Sequence, residues 1–119
     1  MNSKAFTLEI HIGLKEGYGG EVHDISEVEE ICQEFCNDAG LCVSVTRTRY
    51  VYGSPDGVCG REDGAVVGLI NYPRFSKSVS ELWNLANELG AKLGKEMGQH
   101  RISIIGSHKT KVVEFSQQQ

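Results

Sequence analysis

No apolar run in this 119-residue chain approaches the ~20 residues of a membrane span. Met1-Asn2-Ser3-Lys4 does not lead into a secretory leader, so a cytosolic location is expected. Basic excess is also missing. Twelve Lys and Arg against 16 Asp and Glu give a formal net charge of −4, the wrong sign for holding a DNA or RNA polymer by its backbone, although a local basic pocket is still allowed. Cys32, Cys36, Cys42 and Cys59 lack zinc-knuckle spacing, and no His pair completes them. They read as reduced, mostly buried thiols. His11, His23, His100 and His108 are scattered, with no i, i+4 pair. No G-x-S-x-G elbow, phosphate-binding P-loop or deaminase pattern occurs. These absences point to a binding protein with no catalytic residue, metal or cofactor. Were it an enzyme, His11 or His108 would be the general base.

The residues present describe one α+β domain spanning 1–119. Phe6, Leu8, Ile10, Ile12 and Leu14 alternate with polar neighbours, the period of a half-buried strand. Asp24-Ile25-Ser26-Glu27 is a capping box, and the apolar residues after it recur at helical spacing as far as Ala39, with Gly40 as the stop. A second strand is predicted over Leu41–Tyr52, then a glycine-rich hairpin tip over Gly53–Gly64, then a third strand from Ala65. Ser78-Val79-Ser80-Glu81 opens a second helix that Gly98 closes. Arg101–Ile105 and Thr110–Phe115 read as the last two strands. The order β-α-β-β-α-β with a short C-terminal strand predicts a ferredoxin-like sandwich, an antiparallel sheet with two helices on one face. Its other face, with Thr46, Thr48, Tyr50 and Tyr52, would lie open in a monomer and suggests a homo-oligomer.

Binding chemistry gathers near strand ends. Leu69-Ile70-Asn71-Tyr72-Pro73-Arg74-Phe75 is an apolar strand that proline stops, delivering an amide, two aromatics and a guanidinium. Arg47, Arg49, Arg74 and Arg101 also sit near strand ends. Rings offer stacking faces worth roughly 1–3 kcal/mol per base, and guanidinium groups bind phosphate through charge-assisted hydrogen bonds. Asn71 and Asn84 carry amides that both donate and accept, suited to an adenine edge or a ribose hydroxyl. The plainer reading makes the arginines solvated cations, Phe75 a core residue and Trp83 a core or interface residue.

Asn71-Tyr72-Pro73-Arg74-Phe75, then Asn84 in the following helix, then Arg101 opening the next strand, resemble the phage anti-Thoeris sponge family, the first-described type of Thoeris anti-defence protein. Arg49 is a weaker match, and the resemblance spans roughly residues 45 to 105. It implies a non-enzymatic protein that sequesters intact glycocyclic ADP-ribose signals in the cytoplasm of the infected bacterium, keeping the Thoeris effector inactive. It also implies assembly into dimers or hexamers with pockets at subunit interfaces. Some members also capture cyclic trinucleotides, for which this chain shows no clear second basic set. By carry-over Phe75 would stack on adenine, Asn84 would hydrogen-bond the ligand and Arg101 would bind phosphate. Arg49 and Arg74 join them on charge grounds, and Asn71 on its amide chemistry. Two other readings stand beside this one: a small nucleotide hydrolase or lyase, and a ferredoxin-like protein-interaction module.

Overall fold

The computed structural model describes residues 7–16, 20–71, 76–107 and 110–115. Its elements are β1 (Leu8–Gly13), α1 (Ile25–Ala39), β2 (Cys42–Gly53), β3 (Cys59–Ile70), α2 (Val79–Glu96), β4 (Arg101–Gly106) and β5 (Thr110–Glu114). The five strands form one sheet in the order β2-β3-β1-β4-β5, and every neighbouring pair is antiparallel. This is the ferredoxin-like arrangement, with β5 added outside β4.

Both helices begin where side chains can satisfy first-turn donors. The Glu27 carboxylate accepts the Asp24 backbone N–H at 2.9 Å. Ser78 Oγ accepts the Glu81 N–H at 3.1 Å, while Glu81 Oε1 accepts the Ser78 N–H at 2.8 Å. Gly40 ends α1 at φ 69°, a left-handed conformation that suits a residue without Cβ.

The strand alternation sorts the sheet into two faces. Leu8, Ile10 and Ile12 of β1, Ala65, Val67 and Leu69 of β3, and Ile102 and Ile104 of β4 are buried beneath Val28 and Ile31 of α1 and Leu82, Ala86, Leu89 and Leu93 of α2. Gly90 and Gly94 let α2 approach closely, because a Cβ there would collide with Ile102 and with the ring of Phe115. On the opposite face Glu9, His11, Thr46, Thr48, Tyr50, Tyr52, Arg101 and Ser103 have no covering layer among the described residues.

The hairpin departs from expectation. Instead of an irregular tip from Gly53 to Gly64, β3 starts at Cys59 and pairs with β2 from Gly53↔Cys59 to Cys42↔Ile70. The turn is only Ser54–Val58, closed by the Ser54 N–H to the Val58 carbonyl at 2.8 Å, with Gly57 at φ 98°. Glycine lowers strand propensity, but the Tyr52 and Tyr50 rings lie across Gly60 and Gly64, where any Cβ would strike them. Aromatic cover of this kind restores what a strand loses at glycine. Because β1 reaches only the Gly13↔Gly64 register, the outer part of the hairpin projects as a two-stranded ribbon with Val51 and Val58 exposed.

All four cysteines are free thiols. Burial pushes the Cys32 thiol up to about 12 and raises that of Cys36, which makes them poor nucleophiles at neutral pH. Among the described residues no helix is long and apolar enough to cross a membrane.

Candidate functional site

A cavity of about 500 Å³ opens on the uncovered face, between the base of the ribbon and the start of β4. Strand parity builds it. His11 projects outward from β1, one step from the buried Ile10 and Ile12, and lies in register with Ser103 of β4. Arg101 shares the Ser103 parity. Tyr50 and Tyr52 come from the outward face of β2, Glu62 from β3. Lys15, Arg61, Gln99 and His100 complete the wall.

Its centre is a hydrogen-bonded row. The Glu9 carboxylate accepts from His11 Nε2 at 3.1 Å, so a neutral imidazole presents a bare Nδ1 on its other side. That nitrogen meets the Tyr50 hydroxyl at 3.2 Å, and the two rings are tilted with centroids 6.1 Å apart. The Tyr50 hydroxyl also reaches the Ala65 carbonyl at 3.4 Å. Burial pushes the Tyr50 phenol up to about 12, so at neutral pH it keeps its one proton, for which His11 Nδ1 and the Ala65 carbonyl are alternative acceptors. A carboxylate that orients a histidine, which in turn accepts from a phenol, is a proton-handling arrangement. Around it stand two cations, Lys15 and Arg101, and one carboxylate, Glu62, while Arg61 borders the wall from the parity of Val51. The set suits a flat, polar ligand with an anionic group.

Of the residues singled out from sequence, Arg101 lies in the cavity wall, mostly exposed and 3.8 Å from Glu114 of the neighbouring strand. Arg49 has the opposite parity to Tyr50, so it leaves β2 on the other side and faces Asp63 at 3.8 Å. Asn84 is on the exposed side of α2, and α2 packs beneath the sheet. Within one chain Asn84 and Arg101 therefore lie on opposite sides of the sandwich. Asn71 is engaged locally, its Oδ1 accepting the Lys77 N–H at 2.9 Å across the β3–α2 connection. Arg74 and Phe75 lie outside the described residues, as do Tyr72 and His108.

Sequence reasoning noticed Tyr50 and Tyr52 only as part of an open face, and missed Lys15, Arg61, Glu62 and Gln99. The available clue was strand parity: His11 and Tyr50 fall on one face once β1 and β2 are oriented. Their register, and hence their contact, comes from β3 lying between them.

Glu16, Glu21 and His23 bring ligand-type atoms within 4.8 Å of one another. Yet both His23 nitrogens are already engaged by carboxylates, Glu16 at 2.7 Å and Glu27 at 2.9 Å. As they stand, His23, Glu16 and Glu27 form a hydrogen-bonded cluster.

Fold and cavity together define an α+β sandwich with a polar pocket on its bare sheet face. No family model matches the sequence, and no curated protein matches it. Among solved structures the chain is similar to a phage SAM lyase in the apo state, with a TM-score of 0.77 and 15% identity over 100% of this chain and 98% of that one. It is also similar to a phage SAM lyase in complex with S-methyl-5′-thioadenosine, with a TM-score of 0.76 and 17% identity over 92% and 89% of the two chains. At these identities the likeness is one of fold, extending over the whole domain.

Proposed function

We propose that the cavity binds an adenosine-bearing small molecule and that the chain cleaves S-adenosylmethionine. The observation that carries this reading is the Glu9–His11–Tyr50 row, with Glu62 beside it, set in a fold shared end to end with phage SAM lyases. The substrate is a sulfonium with a flat base at one end and an amino acid at the other. Tyr52 offers a face for the base, Arg101 or Lys15 a partner for the carboxylate, and Glu62 a partner for the ammonium. Cleavage needs no co-reactant. The substrate carboxylate oxygen bonds to the γ-carbon, the C–S bond breaks with its electron pair going to sulfur, and neutral S-methyl-5′-thioadenosine leaves beside homoserine lactone. The Tyr50 phenol, its one proton engaged by His11 or by the Ala65 carbonyl, presents oxygen lone pairs to the sulfonium.

A second reading rests on the cations of the wall, Lys15 and Arg101, with Arg61 at its border. They suit a diphosphate better than a sulfonium, and favour a sponge that sequesters glycocyclic ADP-ribose, or a cyclic trinucleotide, uncut in an infected host's cytoplasm. In either case we propose a homo-oligomer in which a second copy covers the open face. Such a copy would also give Asn84 a route to the pocket of its neighbour.

Incubation with S-adenosylmethionine or with glycocyclic ADP-ribose, followed by heat denaturation and chromatography of the supernatant, separates the readings. Methylthioadenosine in the first sample establishes the lyase. Intact glycocyclic ADP-ribose recovered from a protein it had stabilised establishes the sponge. If neither compound shifts the melting temperature and neither is consumed, the fold is serving as a protein-interaction module.

A further inference from the structure

We propose that His23 is a proton-operated clasp on the segment walling the cavity, so that loss of the imidazolium proton loosens that wall and weakens ligand binding. The proposal rests on the reading of the cavity as a ligand site. The geometry requires the charged ring. Glu16 Oε2 lies 2.7 Å from Nε2 and Glu27 Oε1 lies 2.9 Å from Nδ1, and carboxylates only accept. Both nitrogens must then donate, which a neutral imidazole cannot do. The side chain is only 9% exposed, so water cannot readily replace a lost partner.

The clasp joins two elements. Glu27 belongs to the first turn of α1, where its other oxygen caps Asp24. Glu16 belongs to the segment that leaves β1 and returns through the Lys15↔Val22 bridge, the Glu16 N–H to the Glu21 carbonyl at 2.8 Å and the His23 N–H to the Leu14 carbonyl at 2.7 Å. Lys15 and Gln99 both line the cavity, and Gln99 Nε2 donates to the Lys15 carbonyl at 2.9 Å. The clasp is thus one residue from the cavity wall. The charged groups facing the ring are Glu27 from α1 and Glu16 and Glu21 from the segment. From the end of α2 the neighbour of Glu16 is the uncharged Gly98.

Hydrogen bonds to Glu27 and Glu16, opposed by burial, raise the His23 pKa above its ordinary 6.5. A raised folded-state value stabilises the clasped form below pH 6.5 and loses that stabilisation as pH climbs through the folded value. Two measurements on the intact protein test the clasp: a proton NMR titration of His23, and amide exchange of Glu16 and His23 corrected for the intrinsic pH dependence of exchange. His23 should titrate above 6.5, with amide protection falling at least tenfold across that titration. Glu16→Gln should move both midpoints to lower pH with an unchanged circular dichroism spectrum, and His23→Gln should lower protection at every pH. A His23 midpoint at or below 6.5, or protection indifferent to pH, would overturn the clasp. Methylthioadenosine, uncharged over this range, serves as the binding probe. Its affinity should fall in step with protection, and an affinity constant across the transition would overturn the coupling. Falling protection without methylthioadenosine binding at any pH would overturn the lyase reading of the cavity, and the coupling to that ligand with it, and leave the clasp intact.

Discussion

The two faces of this sheet are built from the same strands by opposite rules. On the helix-covered side the buried positions among the described residues are all apolar, and Ile10, Leu89 and Ile104 have no exposed surface. There the chain is held by area removed from water and by close packing, neither of which depends on a particular partner. On the bare side, one residue away along each strand, there are imidazole, phenol, guanidinium and carboxylate groups that do depend on particular partners. Structure is stored on one face and chemistry on the other, and a period of two keeps them apart.

The sharpest way to break that division is to damage the covered face. Leu89→Ala should destabilise the protein by about 2–5 kcal/mol, read from urea denaturation, while the ligand affinity of the remaining folded molecules stays unchanged. Gly64→Ala crosses the division, since its Cβ would press on the Tyr50 ring and on the Ile12 carbonyl. A loss of about 1–3 kcal/mol is expected for such overpacking, together with loss of turnover as the phenol is displaced. Tyr50→Phe should reduce turnover about 100-fold, through loss of a preorganised dipole at the reacting centre, yet change stability by only about 1 kcal/mol, the usual net value of one hydrogen bond. Equal losses of both would make Tyr50 structural. Arg101→Ala should weaken ligand binding about tenfold by calorimetry with an unchanged melting temperature, because its link to Glu114 is an exposed pair of little worth. The smallest effect belongs to acid. Hydrogen bonds from the Asp24 and Ser78 N–H groups lower the pKa values of Glu27 and Glu81 below 4.5. Their stabilisation of the helix starts is therefore full above pH 4.5 and disappears as pH falls through the lowered values. A slight early loss of helical circular dichroism under acid checks this.

Much of the covered face was legible in the chain. The capping boxes at Asp24 and Ser78, the alternation through Leu8, Ile10 and Ile12, and the stop at Gly40 are local codes written within a few residues of where they act. The tip from Gly53 to Gly64 was misread for the same reason. Glycine argues locally for a loop, and the rings that turn Gly60 and Gly64 into good strand residues belong to the opposite strand. The site was harder still. Arg101 was found as a cation at a strand start, but the row from Glu9 through His11 to Tyr50 joins residues 39 positions apart across an intervening strand.

By itself the sequence determined the elements, their order and the face each strand turns to the core, because hydrophobic periodicity and capping act over a single turn or pleat. Only the tertiary structure decided that His11 meets Tyr50, that Arg101 joins their cavity and that Asn84 is held on the far side of the sandwich. Those outcomes depend on strand register and on which face the helices cover, and both are set by contacts between segments far apart in the chain.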